Sequence, residues 1–297
     1  MHKKQVLLIG SGFIGHRVAK QLAMMNYEVV IASRSTGHDI RDKDKMFDLI
    51  REFQAKKVIL MAAIADLNVF EADPKVGLDV NIGGVMNVTL ACHKFFKKLY
   101  YISTCCVYGN TRHLPSTEDA EVNPSEIYAA CKVAGEWIVK GFAKSYAMEY
   151  VNLRIATTYG PEMRKALAPA IFINQIAKGE PITIHGNGEQ TRTMTYIDDE
   201  VKGICLVVDS KISNDTVNIS SEEEISVNTM VQIIKEEMGK PDHPVIFVTD
   251  RFGQTYREKI YAGKAWKLAG WGAEYSFREG IKRTLEWMRA NNFTTIP

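Results

Sequence analysis

The strongest constraint in this chain is an alternation of two periods through its first 160 residues. Short apolar runs at Gln5–Ile9, Glu28–Ala32, Lys57–Met61, Leu99–Ser103 and Tyr150–Ile155 read as strands buried on both faces. Between them lie segments with helical spacing, Gly15–Met25, Lys43–Phe53, Val76–Phe96 and Ser125–Ala147. Strands alternating with helices of this length build βαβ units, and so an α/β fold with a doubly wound parallel sheet. Its crossovers are expected to be right-handed, with ligands at the carboxyl ends of the strands.

After Gly160-Pro161 the regularity fades. Pro169–Lys178 has helical spacing, Pro181–His185 reads as a strand, and Met230–Met238 and Phe277–Arg289 read as amphipathic helices. The expected organisation is a dinucleotide-binding Rossmann-type domain over residues 1–161 and a smaller α/β substrate domain over 162–297, some of whose segments return to the first.

Gly10-Ser-Gly12-Phe13-Ile14-Gly15 follows the first strand and opens a helix. Glycines at this spacing allow a tight turn, close approach of the backbone to a pyrophosphate, and close helix–strand packing. The N–H groups at the helix start then face the anion. The end of the second strand bears on which dinucleotide binds. A carboxylate there would hold the ribose 2′-hydroxyl of NAD, but this chain has Ser33-Arg34-Ser35. A hydroxyl and a guanidinium suit a 2′-phosphate, so NAD(P) is expected with NADP(H) favoured; the alternative for Arg34 is a solvated loop charge. Asp39, beside Ile40, either accepts from the adenine amine or caps the next helix.

Asn123-Pro-Ser-Glu126 reads as a helix start, with Asn123 as the cap. Tyr128 and Lys132 then lie one turn apart on one face. A free tyrosine has a pKa of about 10, and a neighbouring ammonium together with an oxidised nicotinamide would favour the phenolate. Such a phenolate can take the proton of a sugar hydroxyl. Thr104, ending the strand that includes Tyr101-Ile-Ser103, offers a hydroxyl to share the substrate's hydrogen bond.

Composition sets the remaining limits. A net charge of +2 leaves no basic footprint for nucleic acid. No run approaches the roughly 18 apolar residues of a membrane span, and the apolar run after Met1-His-Lys-Lys4 is short for a signal peptide. The five cysteines, Cys92, Cys105, Cys106, Cys131 and Cys205, lack metal-ligand spacing, and a cytoplasmic, metal-free protein is expected.

These motifs, together with Met61-Ala-Ala63, Asn81-Ile-Gly-Gly84, Ser103-Thr-Cys-Cys-Val-Tyr-Gly109, Leu153-Arg154, Tyr159-Gly-Pro161, Gly186-Asn-Gly-Glu-Gln-Thr-Arg192 and Tyr196-Ile-Asp-Asp199, resemble an extended short-chain dehydrogenase/reductase of the NAD-dependent epimerase/dehydratase family. The resemblance implies a nucleotide-diphosphate sugar as substrate and a homodimer, with helices near Leu90 and Val139 as the candidate interface. It implies that Ala62, Ala63 and Asn81 line the cofactor and that Arg192 and Arg251 hold the substrate's phosphates. Thr157 stands where many such epimerases place a substrate-binding asparagine.

The departures narrow the chemistry. The glycine loop is one residue shorter than the family's usual form. The 4,6-dehydratases carry Asp-Glu, and the sugar-acid decarboxylases a glutamate, where this chain has Cys105-Cys106. Cys106 is either a packing residue or, as in the resembling 3,5-epimerases, a base; Lys165 stands near the position of their second acid. The expected function is hydride transfer at sugar C4, as a 4-epimerase. The alternatives are an NADPH-dependent 4-keto sugar nucleotide reductase, a 3,5-epimerase, or a non-catalytic NADP sensor.

Overall fold

A computed structural model describes residues 4–111, 113–250 and 255–297. Its centre is a six-stranded, all-parallel sheet built from β1 (Lys4–Ile9), β2 (Tyr27–Ala32), β3 (Lys57–Leu60), β4 (Lys98–Thr104), β5 (Tyr150–Ile155) and β9 (Asp215–Ile219), in the order β2-β1-β3-β4-β5-β9. The chain leaves β1 toward β2 and then crosses back to β3. The loop after β1 therefore stands at the reversal of strand order, where such sheets open a crevice.

Both faces of this sheet are covered, as its continuous apolar strands require. In β1, Val6 and Leu8 point into one apolar cluster, while Leu7 and Ile9 point into the other. The first cluster takes Val18, Ala19 and Leu22 of α1 (Gly15–Met24); the second takes Met46 and Ile50 of α2 (Lys43–Glu52). Next come two short helices, α3 (Leu67–Ala72) and α4 (Pro74–Leu78), then α5 (Val85–Lys94) and α6 (Ile127–Tyr146). Val88 of α5 and Val139 of α6 lie in the second cluster.

Beyond residue 161 the chain forms α7 (Ala168–Lys178), α8 (Ile197–Asp209), α9 (Val227–Glu237), α10 (Gly263–Ala269) and α11 (Phe277–Ala290). A three-stranded sheet orders β10 (Glu224–Ser226), β8 (Thr191–Tyr196) and β6 (Thr157–Tyr159), and β7 (Ile182–His185) pairs with β11 (Val245–Val248). This half also serves the first: β9 extends the central sheet beside β5, and α8 packs Ile204, Cys205 and Val208 with the residues of α1.

Three local expectations change. The helical run Val76–Phe96 is interrupted by a π-helical segment at Asp79–Gly84. Asn123 does not cap α6: the helix begins only at Ile127, with Glu126 in the N-cap position and no side-chain cap, and the Asn123 backbone N–H donates to the carbonyl of Val107. Val139 is fully buried within its own chain; the large apolar side chains that α5 and α6 expose include Met86, Trp137 and Tyr146.

Candidate active site and dinucleotide cleft

Parallel strands end on one edge of a sheet, so the loops after β1, β3, β4 and β5 must gather there. They enclose one cleft with two chambers. The outer chamber is lined by Ser33, Arg34, Ser35, His38, Asp39 and Ile40, and the inner one by Thr104, Cys106, Tyr128, Lys132, Thr157 and Arg164. Gly10, Gly12, Met61 and Ala63 line both. Phe13, Ile14 and Gly15 line the inner chamber and Ala62 the outer.

The glycine loop fits a dinucleotide by its own geometry. A Cβ on Gly15 would collide with the Gly10 carbonyl, so helix and strand approach as closely as they do only because it is absent. Gly12 differs: a Cβ there would meet no protein atom within 4 Å and would project into open space. The room at Gly12 therefore serves something other than the protein's own packing. The first turn of α1 has no side-chain cap and no acidic residue, which leaves N–H donors and the positive helix end for a phosphate.

In the outer chamber Ser33 is buried, its hydroxyl 2.8 Å from that of Ser35. Asp39 does not cap α2; Asp42 does, accepting from the Lys45 N–H at 3.1 Å. The Asp39 carboxylate is instead gripped by the guanidinium of Arg41 at 2.6 Å and 3.0 Å, which holds its pKa below the usual range.

The inner chamber assembles the catalytic candidates. Tyr128 is the second residue of α6, whose first turn has no side-chain cap. One turn on, Lys132 is buried and donates to the Ile102 carbonyl at 2.7 Å; its ammonium is 5.0 Å from the Tyr101 ring centre and 5.9 Å from that of Tyr128. Burial pushes the Lys132 pKa down to about 8, with the Glu136 charge opposing. Thr104 accepts from the Cys106 N–H at 3.2 Å, and its hydroxyl lies near enough to the Tyr128 phenol to favour the phenolate.

The expected lowering of Tyr128 is absent from the protein's own field. Burial and the neighbouring Cys106 raise its pKa, and the opposing influences are the Arg164 charge and the nearby Thr104 hydroxyl. Lys132 spends its ammonium on Ile102, so the protein alone keeps the phenol protonated.

Glu136, a further turn along α6, escaped the sequence reading although it continues the spacing of Tyr128 and Lys132. Its buried carboxylate accepts from Ser103 at 2.6 Å and from two guanidinium nitrogens of Arg154 at 2.9 Å and 2.8 Å. These bonds tie α6 to β4 and β5 and so fix the height of Tyr128 above Thr104. Arg164 was missed as well, because a single arginine after a Gly-Pro turn carries no spacing signal.

The model of the NAD dependent epimerase/dehydratase family matches residues 6–220. This chain belongs to that family of enzymes. A putative UDP-glucose 4-epimerase of Methanocaldococcus jannaschii is 33% identical over 96% of this chain and 98% of its own. A UDP-glucose 4-epimerase of Thermotoga maritima, solved with UDP-glucose, superposes with a TM-score of 0.89 at 26% identity, over 97% of this chain and 99% of that one. One from Thermus thermophilus, solved with NAD, gives 0.86 at 27% over 96% and 99%.

The remaining positions that family resemblance singled out divide. Thr157 lines the inner chamber. Asn81 is buried in the π-helical segment and lines neither chamber. Its side-chain oxygen accepts from the Ile64 N–H at 2.8 Å and its amide donates to the Ile64 carbonyl at 2.7 Å, which holds the loop that carries Ala62 and Ala63. Arg192 is half-buried and donates to the carbonyls of Thr191 and Thr255, both at 2.7 Å. Arg251 lies outside the described residues. The Cys106 thiol is pushed up to about 11 by burial, an unfavourable state for a base near neutral pH. Among the described residues no His, Cys, Asp and Glu group could hold a metal, and no helix is long and apolar enough to cross a membrane.

Proposed function

We propose that this enzyme is a nucleotide-sugar 4-epimerase. The observation that carries the reading is the inner chamber, where Thr104, Tyr128 and Lys132 meet beside the glycine loop with cysteines, not carboxylic acids, following Thr104. A bound nicotinamide supplies the hydride acceptor for sugar C4 and, when oxidised, the positive charge that the Tyr128 phenol lacks. Tyr128 takes and returns the proton of the sugar 4-hydroxyl. Thr104 shares that hydrogen bond, and Lys132 with Glu136 behind it holds the tyrosine's helix in register. Glycine-loop N–H groups hold the pyrophosphate. The similarity to the archaeal and bacterial epimerases above supports the same substrate class, a nucleotide-diphosphate sugar.

A second reading, an NADPH-dependent 4-keto sugar nucleotide reductase, draws on one feature. The outer chamber offers Ser33, Arg34 and Ser35 to a ribose 2′-phosphate, and its one carboxylate, Asp39, is neutralised by Arg41. Denaturing the purified protein and identifying the released dinucleotide separates the two. Retained NAD, with interconversion of 4-epimers and no net cofactor consumption, supports the epimerase. An empty cleft that consumes NADPH with a 4-keto sugar nucleotide overturns it. Exposed Met86 and Trp137 further support a homodimer through α5 and α6.

A further inference from the structure

The segment that leaves β6, Gly160–Leu167, crosses the mouth of the inner chamber and is fastened on both sides. On one side Arg17 of α1 donates to the Pro161 carbonyl at 3.0 Å and pairs with Glu162 at 2.9 Å, while its other guanidinium nitrogen holds the Phe13 carbonyl in the glycine loop at 2.9 Å. His16 stands 3.5 Å from the same Glu162 carboxylate. On the other side Arg164 donates to the carbonyl of Ala65, at 2.7 Å, in the loop after β3. Phe13, Ala65, Arg164 and Leu167 all line the chamber. The glycine loop, the β3 loop and this segment thus form a closed ring around its mouth.

The two fastenings are unequal. The Arg17 side has several contacts and a guanidinium that is mostly covered. The Arg164 side rests on one hydrogen bond from an exposed arginine between residues 99 positions apart. When a ring opens, it opens at its single-bonded joint. Met163, next to Arg164, is buried, so the backbone there is anchored and the side chain is the free arm.

We propose that Arg164 is a latch that retains the dinucleotide: its bond to Ala65 closes the cleft behind a bound cofactor, which leaves only when that bond opens. The proposal rests on the reading that the cleft holds a nicotinamide dinucleotide. It makes Arg164 a positioning residue, and it gives a regenerating enzyme what it needs, a cofactor that stays through many turnovers.

The test is the dissociation rate of NADH or NADPH, whichever the protein binds, followed by fluorescence after a chase with excess unlabelled NAD(P). Arg164→Ala is expected to release the dinucleotide about tenfold faster, the order expected for one charge-assisted hydrogen bond. Arg164→Lys, which keeps the charge on a single, shorter-reaching donor nitrogen, is expected to fall between. Lys165→Ala, which removes a charge next door, is expected to leave the release rate as it is. Equal release from wild type and Arg164→Ala overturns the latch while leaving the cofactor reading intact. A wild-type protein that binds neither dinucleotide overturns both.

Discussion

At the scale of single residues, Tyr128 and Lys132 divide the labour differently from what their spacing suggests. The lysine donates to the Ile102 carbonyl, and its ammonium stands over the tyrosine ring at 5.9 Å without a direct bond to the phenol oxygen. The phenol remains the proton carrier. Tyr128→Phe is expected to lower turnover by about 10²–10⁴-fold, the usual worth of a positioned proton-transfer group, with the dinucleotide still bound at its normal affinity. Unchanged turnover would remove Tyr128 from the mechanism. Lys132 sets the alkaline side. Its pKa is depressed to about 8, so the ammonium is present below that pH and lost above it. Activity should accordingly fall as pH rises through about 8. Because the Glu136 charge raises that pKa, Glu136→Gln should move the fall to lower pH. A pH–rate profile of both proteins checks the direction.

At the scale of elements, the glycine loop offers a prediction in which folding and binding separate. Gly12 has no protein neighbour for a Cβ to strike, so Gly12→Ala should leave thermal stability within about 0.5 kcal/mol of wild type. The same methyl group stands in the space left for the pyrophosphate, and dinucleotide affinity should fall at least about tenfold. Equal affinity would mean that the room at Gly12 has another use. Strands β1 to β5 were readable in the chain because their apolar runs are continuous, whereas β9, which completes the central sheet, lies beyond the regular alternation and was not read. What escaped reading has physical causes. α8 carries a narrow polar stripe, Asp198, Lys202 and Asp209, on a helix otherwise buried, and β6, β8 and β10 are too short or too mixed to show a period. The Asn123 signal misplaced the start of α6 because the chain stays extended through Glu126, the residue that precedes the first helical turn. The same division holds in the site. Motif spacing found the glycines, Thr104, Tyr128 and Lys132, whereas Glu136, Ser103, Arg154 and Arg164 act through partners distant in the chain.

At the scale of the whole molecule, the surface of α5 and α6 is where a second copy is expected. Trp137 is 59% exposed and Met86 45%, an unusual presentation of large apolar groups for helices whose other faces fill the core. The native protein should therefore sediment at about twice the 33.4 kDa of one chain, and Trp137→Glu should shift it toward the monomer. A wild-type monomer at micromolar concentration would dismiss the interface. The place of β9 has a different consequence. The strand that closes the sheet beside β5 is made only after the chain has passed through β6, β7, β8 and α8. During synthesis the nucleotide half must wait with a bare apolar edge until residue 219 has left the ribosome. A gene cut at the apparent domain boundary would leave that edge bare for good, so the first half is expected not to fold stably when expressed alone.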